Sequence, residues 1–114
     1  MPDAEHDEIP PGTLEMLILQ TLAHDKQLHG FEIAEAIQRR STSVLRVEEG
    51  SLYPALQRML VKGWVLAEWG VTAGNRRARY YQLTKTGRKE LETEISQYRR
   101  VNLAIERILN PATL

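Results

Sequence analysis

The chemistry that stands out in this chain is carried by three arginines, Arg76, Arg77 and Arg79, in the run GNRRARYY. A guanidinium is always charged and presents a rigid fork of donors that matches the oxygens of a phosphate. Placed beside a glycine-containing turn, such side chains can follow a nucleic-acid backbone. They can also enter a narrow minor groove, where the negative potential is greatest. The plainer reading is a charged edge strand that discourages aggregation. That reading accounts for one or two charges, but not for three arginines together with a second polar surface.

The second surface lies in EEGSLYPALQRMLVKGW, residues 48–64. Leu52, Leu56, Met59 and Leu60 recur at helical spacing and form a buried stripe. The outward set is then Ser51, Tyr53, Pro54, Gln57, Arg58 and Val61. Gln suits the edge of adenine and Arg that of guanine, while Tyr and Ser hydroxyls reach phosphates or bases. An ordinary amphipathic helix with a polar solvent face is the alternative. Ser51 as N-cap places Pro54 in the first turn, where its missing N–H has no helical partner to lose. Gly63 is the natural terminator.

The charge distribution agrees with contact to nucleic acid. The formal net charge is zero, but it is divided unevenly. Residues 1–12 hold four acids (Asp3, Glu5, Asp7, Glu8) and no base. Residues 39–89 hold eleven bases against three acids, a local surplus of +8. Such asymmetry creates a positive field whatever the total.

The elements that position these residues follow from periodicity and punctuation. Residues 1–12, with Pro2, Pro10 and Pro11, read as a flexible acidic arm. Leu14, Leu17, Ile18 and Leu22 set a first helix over 14–23, with Thr13 as N-cap and Met16 on a flank. After the polar turn HDKQLHG, a second helix is expected over 30–40, with Phe31, Ile33, Ala34 and Ile37 inward. His29 is a turn residue or a cap for that helix. A short extended segment over 44–47 precedes the third helix. Two β-prone runs, 64–71 and 77–83, flank the turn-forming cluster Thr72-Ala73-Gly74-Asn75, a hairpin signal. Thr84 then caps a long helix over 85–109, with Pro111 just beyond it. The fold class is therefore mainly α with a small β-hairpin: a winged helix-turn-helix over 13–84, then a C-terminal helix over 85–110.

That last helix carries a different message. Leu91, Ile95, Tyr98, Asn102, Ile105 and Leu109 step alternately by four and three, a heptad seam suited to pairing with a second copy. Asn102 is a lone polar residue that can fix register there. At 25 residues the helix reaches roughly 37 Å, more than a compact domain requires. Folding back on its own core is the alternative. A symmetric pair would set two recognition helices about one DNA turn apart, on an inverted repeat.

Catalysis finds no support. His6, His24 and His29 are too scattered for a metal motif, and HExxH, GxSxG and phosphate-cradling loops are absent. With no Cys, thiolate chemistry and sulfur-ligated zinc are excluded. No cofactor or metal is expected. There is no apolar run of 18 residues to span a membrane and no signal-peptide pattern at the start, so a cytosolic location is expected.

LHGFEIAEAI, GSLYPALQRMLVKGWV and RRARYYQLTKTGR together resemble the PadR family of bacterial transcriptional regulators, over residues 14–90. The helix block and the pattern YYxLTxxGR, Tyr80 to Arg88, are the specific parts. The resemblance implies a homodimeric winged-helix repressor on a promoter inverted repeat. It places DNA contacts on Ser51, Tyr53, Pro54, Gln57 and Arg58, and on Arg76, Arg77 and Arg79 of the wing. It also implies the short subgroup with one C-terminal helix, some members of which hold flat aromatic compounds between subunits. Tyr98 stands where many relatives have Trp, with Asn102 one turn further, so these two are the candidate effector contacts. Leu14, Leu17 and Ile18 could pack on the partner's last helix. A rival reading keeps the fold but uses it as a protein-interaction module.

Overall fold

The computed structural model describes residues 7–110. Its elements run β1 (Asp7–Glu8), α1 (Leu14–His24), β2 (Leu28–His29), α2 (Gly30–Arg40), β3 (Leu45–Arg46), α3 (Glu49–Val61), β4 (Val65–Val71), β5 (Arg77–Leu83) and α4 (Lys85–Leu109). Three helices enclose the core and the β4–β5 hairpin projects as a wing, the architecture expected from the sequence.

Ile18, Leu19 and Leu22 of α1, Ile33 of α2, and Leu52, Leu56 and Met59 of α3 meet with almost no exposure. Val65 and Tyr81 from the base of the wing close the cluster. The expected inward sets need correction, and Ala34 and Leu60, also expected inward, are only half-buried. Leu19 and Met16 are buried while Leu14 and Leu17 are only half-buried, so α1 is rotated toward its Met16–Leu19 side. Ile18 is wholly inside this chain's own core and is not available to a partner. Phe31, expected inward, is 65% exposed, and Ala36 takes the buried place on α2.

Punctuation explains most boundaries. His29 caps α2 through a reciprocal box: its Nδ1 accepts from Glu32 N–H, and Glu32 Oε1 accepts from His29 N–H at 3.0 Å. Thr84 Oγ1 accepts from Gly87 N–H at 2.9 Å to start α4. Gly63, at φ +76°, ends α3 with Trp64 N–H donating to Met59 O and Gly63 N–H to Leu60 O. Thr13 occupies the N-cap position of α1, but its hydroxyl donates to Pro10 O instead of capping.

The start of α3 differs from the expectation. Glu48, extended, is its N-cap, so Pro54 lies in the second turn and not the first. There its ring removes the hydrogen bond that would close on the Gly50 carbonyl. The helix tolerates this because both residues are exposed and water can reach that carbonyl.

Two short pairings were not legible. β2 joins the wing as a third strand, with Leu28 opposite Tyr81 and His29 opposite Tyr80. β1 pairs in parallel with β3, Asp7 opposite Leu45 and Glu8 opposite Arg46, and Asp7 N–H donates to Val44 O at 2.6 Å. Of the arm expected over 1–12, this part is therefore tied to the helix-turn-helix; residues 1–6 lie outside the described residues. Among the described residues no helix is long and apolar enough to cross a membrane.

Candidate nucleic-acid interface

α3 presents the outward set expected of it. Ser51, Tyr53, Pro54, Gln57, Arg58 and Val61 are all exposed, while Leu52, Ala55, Leu56 and Met59 hold the other face in the core. The core thus fixes the rotation of the helix, and the polar side chains inherit their direction from it.

Tyr53 lies against the first residue of α2. A Cβ at Gly30 would sit 2.5 Å from Tyr53 Oη, so only glycine leaves room for the phenol there. Partial burial, then Glu49 and Tyr81, pushes the phenol above its ordinary range. It stays a neutral O–H donor at physiological pH, as a phosphate contact requires.

The wing supplies the cations. The Thr72–Asn75 turn is closed by Asn75 N–H to Thr72 O and Thr72 N–H to Arg76 O, with Asn75 at φ +63°. Asn tolerates that left-handed conformation better than most residues. Arg76, Arg77 and Arg79 are exposed and, among the described residues, none is ion-paired. A cleft of about 720 Å³ between wing and helices brings them together with Tyr53, and adds His29, Phe31 and Trp69 to its walls.

The other expected contacts stand apart. Ser51, Pro54 and Arg58 border a second cleft, of about 690 Å³, whose far wall is Asp7, Glu8 and Ile9 of the arm. Arg58 is ion-paired, with Nε 2.9 Å from Oε2 of Glu15 on α1. Gln57 is exposed one turn beyond Tyr53.

Residues 18–93, about two thirds of the chain, match the model of the transcriptional regulator PadR-like family. The chain belongs to that family. A PadR family transcription regulator from hypervirulent Clostridium difficile is 31% identical, with a TM-score of 0.71 over 86% of this chain and 99% of its own. A transcriptional regulator from Clostridium thermocellum superposes with a TM-score of 0.76 over 84% of this chain and 92% of its own; at 23% identity this likeness concerns the fold alone. An uncharacterized protein of Lysinibacillus sphaericus is 26% identical over 99 residues, 87% of this chain and 90% of its own. As a PadR-like protein the chain is a DNA-binding regulator of transcription and not an enzyme.

The seam on α4 divides in two. Leu91 is 6% exposed and Ile95 is half-buried, both against this chain's own core, where α4 packs on α1. Leu91 is therefore taken up within the chain, which narrows the expected seam to its later members. From Ser96 onward every described residue of α4 is exposed, including Tyr98, Val101, Asn102, Leu103, Ile105, Ile108 and Leu109. Tyr98 borders a cleft of about 560 Å³ between α4 and the start of α1, lined also by Leu14, Glu15, Arg58, Glu90 and Glu94. Asn102 is not part of its lining.

Sequence reasoning missed Trp69, Phe31 and the joining of His29 to the wing. An aromatic residue in the strand opposite Arg77 and Arg79 was the available signal for Trp69.

Proposed function

We propose that this PadR-like regulator binds a promoter inverted repeat as a homodimer and represses transcription from it. α3 reads sequence through Ser51, Tyr53, Pro54, Gln57 and Arg58, and the wing holds the backbone through Arg76, Arg77 and Arg79. The observation that carries the DNA reading is the cleft shared by Tyr53 and the three arginines, whose charges have no carboxylate partners among the described residues. Unneutralised guanidiniums around a neutral donor suit phosphates, and their contacts supply most of the affinity while base edges supply the choice of site.

Dimerisation through the second half of α4 is supported by its bare apolar side chains. Tyr98, Val101, Ile105, Ile108 and Leu109 project from a 25-residue helix that outruns the domain it packs on. A contiguous apolar stripe of that kind marks an association surface. Tyr98 and Asn102 would lie at the junction, and a small aromatic effector stacked on Tyr98 would release DNA only by favouring one spacing of the two recognition helices.

The test has two parts. Light scattering should return twice the chain mass, and Ile105→Glu with Ile108→Glu should return a monomer. Footprinting on DNA from the chain's own upstream region should protect two half-sites about one helical turn apart. A wild-type monomer, or protection of a single half-site, would overturn the dimeric reading.

A further inference from the structure

A tryptophan on the wing stands where the core can no longer cover it. Val65, Ala67, Trp69 and Val71 share one face of β4, since side chains alternate along a strand. Burial along that face falls outward: Val65 is buried, Ala67 half-buried, and Trp69 is 59% exposed. More than half of the indole surface is therefore left outside the core. What covers it is charge: the Arg77 guanidinium lies 4.4 Å from the ring centroid and that of Arg79 5.8 Å.

The register produces this arrangement. Trp69 is directly opposite Arg79 on β5, and Arg77 is its diagonal neighbour on the same face. The ring face carries negative potential, so it attracts a cation without neutralising it. A carboxylate in the same place would also hold the arginines, but it would cancel the charge that a phosphate needs. An arginine side chain left free in solvent would have to surrender its rotamer freedom at the moment of binding. A ring beneath it removes part of that cost beforehand. Trp69, Arg77 and Arg79 line the cleft that also holds Tyr53, so the held guanidiniums sit on the side facing the recognition helix.

We infer that Trp69 is a positioning residue for DNA binding: its ring holds Arg77 and Arg79, still fully charged, in the orientation that meets the phosphate backbone. The inference rests on the proposed role of the wing and adds a residue to it. Trp69 acts through the arginines and touches no base.

The test uses a random-sequence duplex two helical turns long at low salt, because phosphate contacts do not depend on sequence. Wild-type chain, Trp69→Phe, Trp69→Leu and Arg77→Ala/Arg79→Ala are compared, with Trp69→Leu also made in the double-arginine background. Exposed cation–π contacts lead us to expect Trp69→Leu to bind about fivefold more weakly, and Trp69→Phe, which keeps a ring face, to recover most of that. In the background lacking both arginines, Trp69→Leu should cost nothing further. Thermal denaturation of each variant shows that it is folded, and the Phe variant serves if the Leu variant is not. Equal binding by wild type and Trp69→Leu would overturn the inference while leaving the wing's role intact. So would a Leu cost that persists without the arginines, which would place Trp69 on the DNA itself. If the wild-type chain fails to bind this duplex at low salt, the role of the wing falls, and this inference with it.

Discussion

Arg58 on the recognition helix and Glu15 on α1 form an ion pair, with Nε 2.9 Å from Oε2. They are 43 residues apart in the chain, and the pair ties the end of α3 to the helix that also carries α4. Arg58 is half-exposed, so the pair is a surface contact worth about 0.2–1 kcal/mol. On the proposed function, DNA would compete with Glu15 for this guanidinium. Glu15→Gln should therefore tighten operator binding by up to about fivefold, the same energy read as an affinity. Titration of a labelled operator duplex measures it; weaker binding by the variant would mean that Glu15 aims Arg58 instead of restraining it.

Gly30→Ala tests the contact between α2 and Tyr53. The added methyl would meet Oη at 2.5 Å and Cε1 at 2.7 Å. Tyr53 is 46% exposed and can swing aside, so the stability change should stay within about 1 kcal/mol. The phenol, however, leaves the cleft it shares with the wing arginines. A melting temperature close to wild type combined with weaker DNA binding is the expected pair of results. Unchanged DNA affinity would remove Tyr53 from the interface.

Thr42 ends α2 in the left-handed region, at φ +51°, where a β-branched residue is strained. The hydrogen bonds there are those of a glycine-terminated helix: Ser43 N–H donates to Gln38 O at 2.8 Å and Thr42 N–H to Arg39 O at 3.0 Å. Thr42→Gly should stabilise the chain by about 1 kcal/mol, read as a rise of roughly 4 °C in melting temperature. Ala at the same place should give much less, since it keeps the Cβ that causes the strain.

Glu94 makes stability depend on pH. Burial, then the hydrogen bond and charge of Glu90 and the charge of Glu15, push its carboxyl from 4.5 up to about 7, with Lys62 opposing. The folded chain thus keeps a proton that the unfolded chain releases. This contribution is complete below about 4.5 and is lost as pH rises through about 7, so stability falls across that window. Glu94→Gln should flatten the slope and raise stability above pH 7 by on the order of 1 kcal/mol, allowing for solvent screening. Chemical denaturation at several pH values checks it, and an unchanged slope would assign the proton elsewhere.

Much of this architecture is written locally in the chain. The bounds of α2 and α4 follow from His29, Thr84 and the spacing of apolar residues, and the end of α3 follows from Gly63, because caps act over three or four residues. The start of α3 was misread since Ser51 is a good cap in isolation, whereas the chain leaving β3 delivers Glu48 already extended. Phe31 was misplaced because the inner face of a helix is settled by its neighbours and not by its own pattern. β1 and β2 are two residues long and carry no periodicity at all. In the candidate site, the outward face of α3 and the wing arginines were legible. The Arg58–Glu15 pair and the arginine stack on Trp69 were not, since both depend on register and on packing between distant segments.

The most direct test measures binding of the purified chain to DNA from its own upstream region, against a scrambled duplex, at two salt concentrations. Reading by α3 with backbone contacts from the wing requires a clear preference for the native sequence and a steep loss of affinity with salt. Arg77→Ala should flatten that salt slope by about one unit without altering the preference. Absence of binding to either duplex at low salt would contradict the DNA-binding assignment of this surface.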